Sequence, residues 1–349
     1  MPTRVRDTFL CVSPPRSPRE RTEELERASL SAWATLSVDT KGRERLEPDD
    51  RLRTAFQIDR DRVLSCASFE RLNGKSHAVL GSRDEANRSR LNHTLRTTRI
   101  ARTLSRALRL NEDLAEAIAV ACDLGATAFG RAGTDALSLF TDSAFLHNHQ
   151  SARVAETLER NGDGLNLTWE VRDGVACHTV TAATPATREG EVVRISNRIA
   201  ALTALTLDGL ACGAISATEM PDDVVADWGS NPHNWAGILL ADAVGASTDT
   251  PDIRLTEATW ARLDRASAFA ANRIGAIEGV VTERARGSHC LSSLVVFYLD
   301  HPGRLPASFR AVEDHTLTWV VDFVSSLSDS RALQLFDELF LPHTVADRP

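Results

Sequence analysis

SRLNHTLRTTRIARTLSRALRLNEDLAEAIAVACDLGATAFGRAG, residues 89–133, decides the fold class. Leu91, Leu95, Ile100, Leu104, Ala107 and Leu108 recur near helical spacing, which predicts one helix with a buried face. Asn111 then stands where an N-cap belongs, and Glu112 and Asp113 complement the positive end of a helix dipole. Leu114, Ala117, Ile118, Ala121 and Leu124 form the apolar stripe of a second helix, which Gly125 can terminate. The first helix carries His93 near its start, and the second carries Cys122 and Asp123 at its end.

Outward from this pair the pattern stays helical. Arg21 to Ala34 is periodic enough for a helix, as are the faces Ile195, Ile199, Leu202, Leu210 and Leu317, Val320, Val321, Val324, Leu327. Ser328 or Asp329 can cap a final helix through Leu333, Phe336 and Leu339. Residues 1–20 are rich in Arg, Pro and Ser and read as a loose tail. Residues 38–62 read as an irregular surface segment, with Arg43 to Arg53 solvated. Residues 221–233 and 247–252 read as loops. His178 to Ala183 is the one strand candidate. No linker divides the chain. The expectation is all-α: one domain over residues 21–345, with a helical C-terminal subregion from about residue 250.

Composition narrows the function classes. Hydrophobic residues make up 42% and charged residues 25%, as in ordinary globular proteins. A net charge of −8 argues against nucleic acid and, weakly, against anionic membranes. The six cysteines are scattered without a CxxC pair, which suits reduced thiols. No apolar run is long enough for a signal peptide or a membrane helix, so a cytoplasmic location is expected. Walker, HExxH, GxSxG and dinucleotide-binding patterns are missing from the sequence.

Several segments in order resemble the HD-domain deoxyguanosine triphosphate triphosphohydrolase family. They are LSVDTKGRERLEPDDRLRTAFQIDRDRVL (36–64), FERLNGK (69–75), SRLNHTL (89–95), CDLGATAFGRAG (122–133), FLHNHQS (145–151), GLNLTWEVRDGV (164–175), VVRISNRIA (192–200), HPGRLP (301–306) and VVDFVSSLSDSRALQLFDELFLP (320–342). The likeness covers about residues 20–345. It implies an HD-domain phosphohydrolase-like helical fold. It also implies a divalent metal held by a histidine, an adjacent His-Asp pair and a distant aspartate. The family reaction converts dGTP and water into deoxyguanosine and triphosphate. Imidazole and carboxylate fix such a metal, which acidifies water and neutralises phosphate charge.

Carried over position by position, the first ligand is His93, the pair is Cys122–Asp123, and the distant aspartate is Asn197. Two loop histidines of the family become Ala126 and Arg131, and an acidic residue that orients one of them becomes Thr134. A tyrosine and a His-Asp on the Asn197 helix become Ala201, Ala204 and Leu205. The catalytic histidine His147 is retained, without its acidic partner. Arg60, Arg62, Lys75 and Arg90 match basic, phosphate-binding positions, and His77 replaces a glutamine that meets the deoxyribose. Each also has a plainer reading. His93 can be a hydrogen-bonded histidine between helices, Cys122 a small buried apolar residue, and the arginines surface ion pairs. Asp123 needs a partner, for which Arg131 and Arg90 are the candidates, and Asn197 is expected to bond Asp123 or backbone. His149 and Gln150 read as pocket or loop, and Trp169 as core.

Losing one positioned acid–base group costs about 10²- to 10⁴-fold in rate. The sequence therefore points to a catalytically impaired member that binds a dNTP-like nucleotide or a partner protein and has no cofactor. One alternative is an enzyme with zinc or another divalent metal at His93, Cys122 and Asp123. The other is a structural subunit beside an active homologue. The resemblance further implies a homo-oligomer, dimer or hexamer, or a mixed assembly.

Overall fold

The computed structural model describes residues 16–77, 89–216, 219–310 and 315–342. Among them the chain forms sixteen α-helices joined by turns, short 3-10 segments and one π-helical turn (Val154–Leu158), with no strand. The N-terminal helices are α1 (Pro18–Ser29), α2 (Ala55–Leu64) and α3 (Ala67–Arg71). The pair expected from residues 89–133 is α4 (Arg90–Ala107) and α5 (Glu112–Ala121). Then come α6 (Arg131–Ser138), α7 (His147–Arg153), α8 (Trp169–Cys177) and the long α9 (Arg188–Ala211). The rest are α10 (Asp222–Trp228), α11 (Pro232–Ser247), α12 (Glu257–Gly275), α13 (Glu278–Asp300), α14 (Ala307–Arg310), α15 (Thr316–Ser326) and α16 (Asp329–Phe340).

Asn111 caps α5 as expected: its Oδ1 accepts from the backbone N–H groups of Asp113 and Leu114 at 3.1 and 3.2 Å. Ser328 caps α16 in the same way, through Arg331 N. Five local expectations are corrected. Of the loose tail, residues 1–15 lie outside the described residues; helix α1 already begins at Pro18, because Ser17 and Glu20 form a reciprocal capping box. The irregular segment 38–62 contains most of α2, whose Phe56 and Val63 are fully buried. Arg43 is not solvated: it pairs with fully buried Asp59 and donates to the carbonyls of Asn166 and Ala55. Residues 178–183 form no strand but the C-cap of α8 and a turn, and residues 221–233 hold α10 and the first two residues of α11. These stretches are too short for their periodicity to separate helix from strand or loop.

Two apolar clusters organise the packing. The larger joins α2, α4, α5, α8, α9, α11 and α12 through residues such as Ile100, Leu114, Ile118, Val171, Ile199, Trp235 and Leu263. The smaller joins α6, α13, α15 and α16 through Leu137, Leu291, Leu294, Val320, Val324 and Ala332. Polar groups stitch the seam between them. Fully buried Lys75 donates to the carbonyls of Ala126 and Ser325. Arg153 meets the buried Asp322 carboxylate through two nitrogens, at 2.9 and 2.7 Å. Gln150 donates to the same carboxylate at 2.8 Å.

Candidate functional site

Helix α4 presents Arg90, His93 and Thr94 toward the larger cluster's interior, because these positions follow one another around a single face. The residues after α5 turn sharply. Gly125 comes so close to α7 that a Cβ there would lie 2.3 Å from Ser151 N. Ser151 Oγ accepts from Gly125 N at 2.9 Å and donates to Cys122 O at 2.6 Å. This clasp holds the Cys122–Asp123 turn against α7, the helix that starts at His147. Opposite, α9 packs along α4 and supplies Asn197.

The structure brings together His77, Arg90, His93, Asp123 and Asn197, with His147 beside them. His93 Nε2 donates to Asn197 Oδ1 at 2.7 Å, which corrects the expectation that Asn197 bonds Asp123 or backbone. Asp123 Oδ2 accepts from Thr94 Oγ1 at 2.9 Å, and Oδ1 pairs with Arg90 Nη1 at 3.5 Å. Arg131, the other candidate partner, is exposed and pairs with Asp135 one helical turn on. His77 stacks on His93 with ring centroids 4.1 Å apart.

Burial shapes the charges. It pushes the His93 imidazole down to about 4, against the pull of Asp123. Burial would raise the Asp123 carboxyl, but Arg90 and the neighbouring histidines hold it at about 2. Burial, then the Asp123 charge, pushes the Cys122 thiol well above its ordinary value, so it stays protonated. Burial and His178 lower His147 to about 3.

Other residues named from the sequence stand elsewhere or fill space. Arg60 is committed to Asp61, Asp113 and Glu116, near the opposite end of α5 from Asp123. Arg62 is held by Glu47 and by the carbonyls of Leu165 and Asn166. Lys75 faces carbonyls at the seam. Ala126 and Ala204 are buried, Ala201 and Leu205 are partly buried, and Thr134 donates to Gly130 O. Gln150 is buried at the seam, whereas His149 is exposed. Trp169 is partly buried and carries Lys41 over its ring at 3.2 Å from the centroid.

Two neighbours escaped sequence reading. Thr94 is one, and its signal was only adjacency to His93. The other is His178, buried at the end of α8. Its Nε2 lies 3.1 Å from His147 Nε2, and its Nδ1 lies 2.7 Å from Val175 O. A histidine three residues past a helical carbonyl can bond it, which is a local signal. Its meeting with His147 depends on how α7 packs on α8.

The metal implied by the family resemblance does not fit these side chains as they stand. His93 Nε2 is spent on Asn197, Asp123 is held by an arginine and a hydroxyl, and Cys122 is a thiol rather than a thiolate. Among the described residues no three His, Cys, Asp or Glu side chains converge as a ligand set. A guanidinium sits instead beside the carboxylate that would face a cation.

Comparison with known proteins supplies the family. The HD domain model matches residues 90–202, and the phosphohydrolase-associated domain model matches residues 253–338. A deoxyguanosinetriphosphate triphosphohydrolase-like protein of Caldanaerobacter subterraneus subsp. tengcongensis is 35% identical over 326 residues, covering 93% of this chain and 96% of the relative. Proteins of the same description from Clostridium perfringens and Desulfatibacillum aliphaticivorans are 33% and 34% identical, covering 94% and 93% of this chain and 98% of each relative. Among the described residues no helix is long and apolar enough to cross a membrane. With matches running through both the His93 region and the C-terminal helices, the chain belongs to the HD-domain family of deoxyguanosinetriphosphate triphosphohydrolase-like proteins.

Proposed function

We propose that this protein is a catalytically impaired member of its family that holds a dNTP-like nucleotide without hydrolysing it. The observation that carries the reading is the 2.7 Å bond between His93 Nε2 and Asn197 Oδ1: two positions that would share a metal share a hydrogen bond instead. An asparagine brings no negative charge, and the Arg90–Asp123 pair leaves the cluster no net anion to attract a cation. His147 has a neutral imidazole as its partner in place of a carboxylate, and burial with His178 outweighs the pull of Asp123 on its protonated form. On this reading the cluster offers no metal set to activate a water and no carboxylate-backed histidine as acid. Of the basic residues matched to phosphate positions, Arg90 alone lies at the cluster, with Nε buried and unpartnered. That donor suits a phosphate oxygen.

The test combines three measurements on the purified protein: metal content, release of triphosphate from dGTP, and thermal stabilisation by dGTP. The reading expects substoichiometric metal, no triphosphate release above background, and a rise in melting temperature with dGTP. Stoichiometric zinc, together with turnover that Asp123→Ala abolishes, would overturn it in favour of a divergent metalloenzyme. Absent stabilisation with co-purification of an intact homologue would favour a structural subunit. The double variant Cys122→His, Asn197→Asp rebuilds the expected ligand types, and it should gain one bound divalent ion that the parent lacks.

A further inference from the structure

The hydrogen bonds of His178 leave one consistent arrangement of protons on two neutral rings. His178 Nδ1 lies 2.7 Å from the carbonyl oxygen of Val175. A carbonyl only accepts, so that nitrogen carries a hydrogen. In a neutral imidazole the other nitrogen, Nε2, is then a bare acceptor. It faces His147 Nε2 at 3.1 Å, so the hydrogen between the rings belongs to His147. His147 is left with a bare Nδ1, which has no partner among the described residues. Both rings are kept neutral by burial, and their shared neighbourhood holds one positive and one negative charge, Arg90 and Asp123.

We propose that His178 is a positioning residue: it locks His147 in the Nε2–H form, so that His147 Nδ1 accepts a hydrogen bond from a hydroxyl or N–H group of the bound ligand. The ligand half of this inference rests on the nucleotide reading above and assigns His147 to the sugar or base, not to the phosphates. A bare imidazole nitrogen repels a phosphate oxygen, which has only lone pairs to offer, and matches a ligand donor. Arg90 is left to meet the anionic part. The carboxylate that partners this histidine in the family would hold it as a donor-capable cation. An imidazole partner removes that option and turns the outward nitrogen into an acceptor.

Histidine ¹⁵N spectra of the full chain test both halves. In the unliganded protein near pH 7, the two-bond ¹H–¹⁵N pattern should show His147 protonated at Nε2 and bare at Nδ1. His178→Phe keeps a ring but removes the acceptor, and should convert His147 to an average of both tautomers. His178→Gln, whose side-chain oxygen can accept the same hydrogen, should restore the single form. A protonated Nδ1 in the unmodified protein, or a pattern indifferent to His178→Phe, overturns the assignment. The unmodified spectrum decides even if the variants fold poorly.

Titrating 2′-deoxyguanosine should move the His147 Nδ1 resonance, whereas inorganic triphosphate alone should not. The opposite result overturns the ligand half. If neither probe binds, the nucleotide reading fails with it, while the unliganded spectrum still judges the tautomer separately.

Discussion

Two of the arginine–carboxylate pairs with a buried acid, Arg153–Asp322 and Arg90–Asp123, are built differently. At the seam, Arg153 meets Asp322 through two nitrogens at 2.7–2.9 Å, and Gln150 adds a third bond. Near His93, Arg90 meets Asp123 through one nitrogen at 3.5 Å. Arg90 Nε and His93 Nδ1 are left buried without partners, and among the described residues the hydrogen bond of His147 runs through Nε2, not Nδ1. A structural contact saturates its polar groups, because each one left unmade costs about 1–3 kcal/mol. Unspent groups also occur elsewhere, as at Arg172 Nε and Arg198 Nε, but near His93 a donor and ring nitrogens gather in one place, which is what the proposed ligand would use. The comparison separates a staple from a site, although both lie in the same core.

Breaking the staple should have the largest effect. Arg153→Ala leaves Asp322 buried and uncompensated, and should lower stability by about 3–5 kcal/mol in denaturant unfolding. A loss below about 1 kcal/mol would show that water reaches the seam. Lys75 gives a subtler handle on the same seam. Burial, opposed by Asp329 and Asp123 and reinforced by Arg71 and Arg90, pushes its amine from 10.5 down to about 7. Between these values the unfolded chain holds a proton that the folded chain has released, so stability rises with pH, by at most about 1.4 kcal/mol per unit. Below pH 7 both states are charged and the dependence levels off. Lys75→Met should flatten that part of the profile, and identical slopes in the two proteins would show that the amine stays charged.

The smallest change sharpens the other side of the comparison. Thr94→Val removes one hydroxyl bond to Asp123 and should cost about 1 kcal/mol. It should leave thermal stabilisation by dGTP in place. A loss matching that of Arg153→Ala would mean that the cluster is as structural as the seam.

How far the sequence could be read follows from the range of each signal. The α4–α5 pair, the Asn111 cap and the Ser328 cap are local: side chains three or four residues apart, or one oxygen beside the next turn's N–H groups. They were legible for that reason. The strand expected at 178–183 failed, and the irregular segment expected over 38–62 gives way to helix α2 from Ala55, because short segments take their form from what they pack on, as Arg43 does on Asp59. The family resemblance carried the positions His93, Cys122, Asp123, Asn197 and His147 from separate segments toward one site, and the structure does gather His93, Asp123 and Asn197. It did not carry their partners. Arg90 rather than Arg131 answers Asp123, because Arg131 lies on the solvent side of α6, whose other face packs in the smaller cluster. His178, without any motif of its own, answers His147.

The sequence by itself determined the helical class, the order of the main helices and the residue types, Cys122 and Asn197 among them, on which the proposed loss of ligands rests. These depend on residue type and near spacing, which the chain carries openly. Only the tertiary structure decided which groups spend their hydrogen bonds on one another and which are left bare. Hydrogen bonding acts over about 3 Å, and such distances between α4, α7, α8 and α9 exist only once the apolar faces have packed.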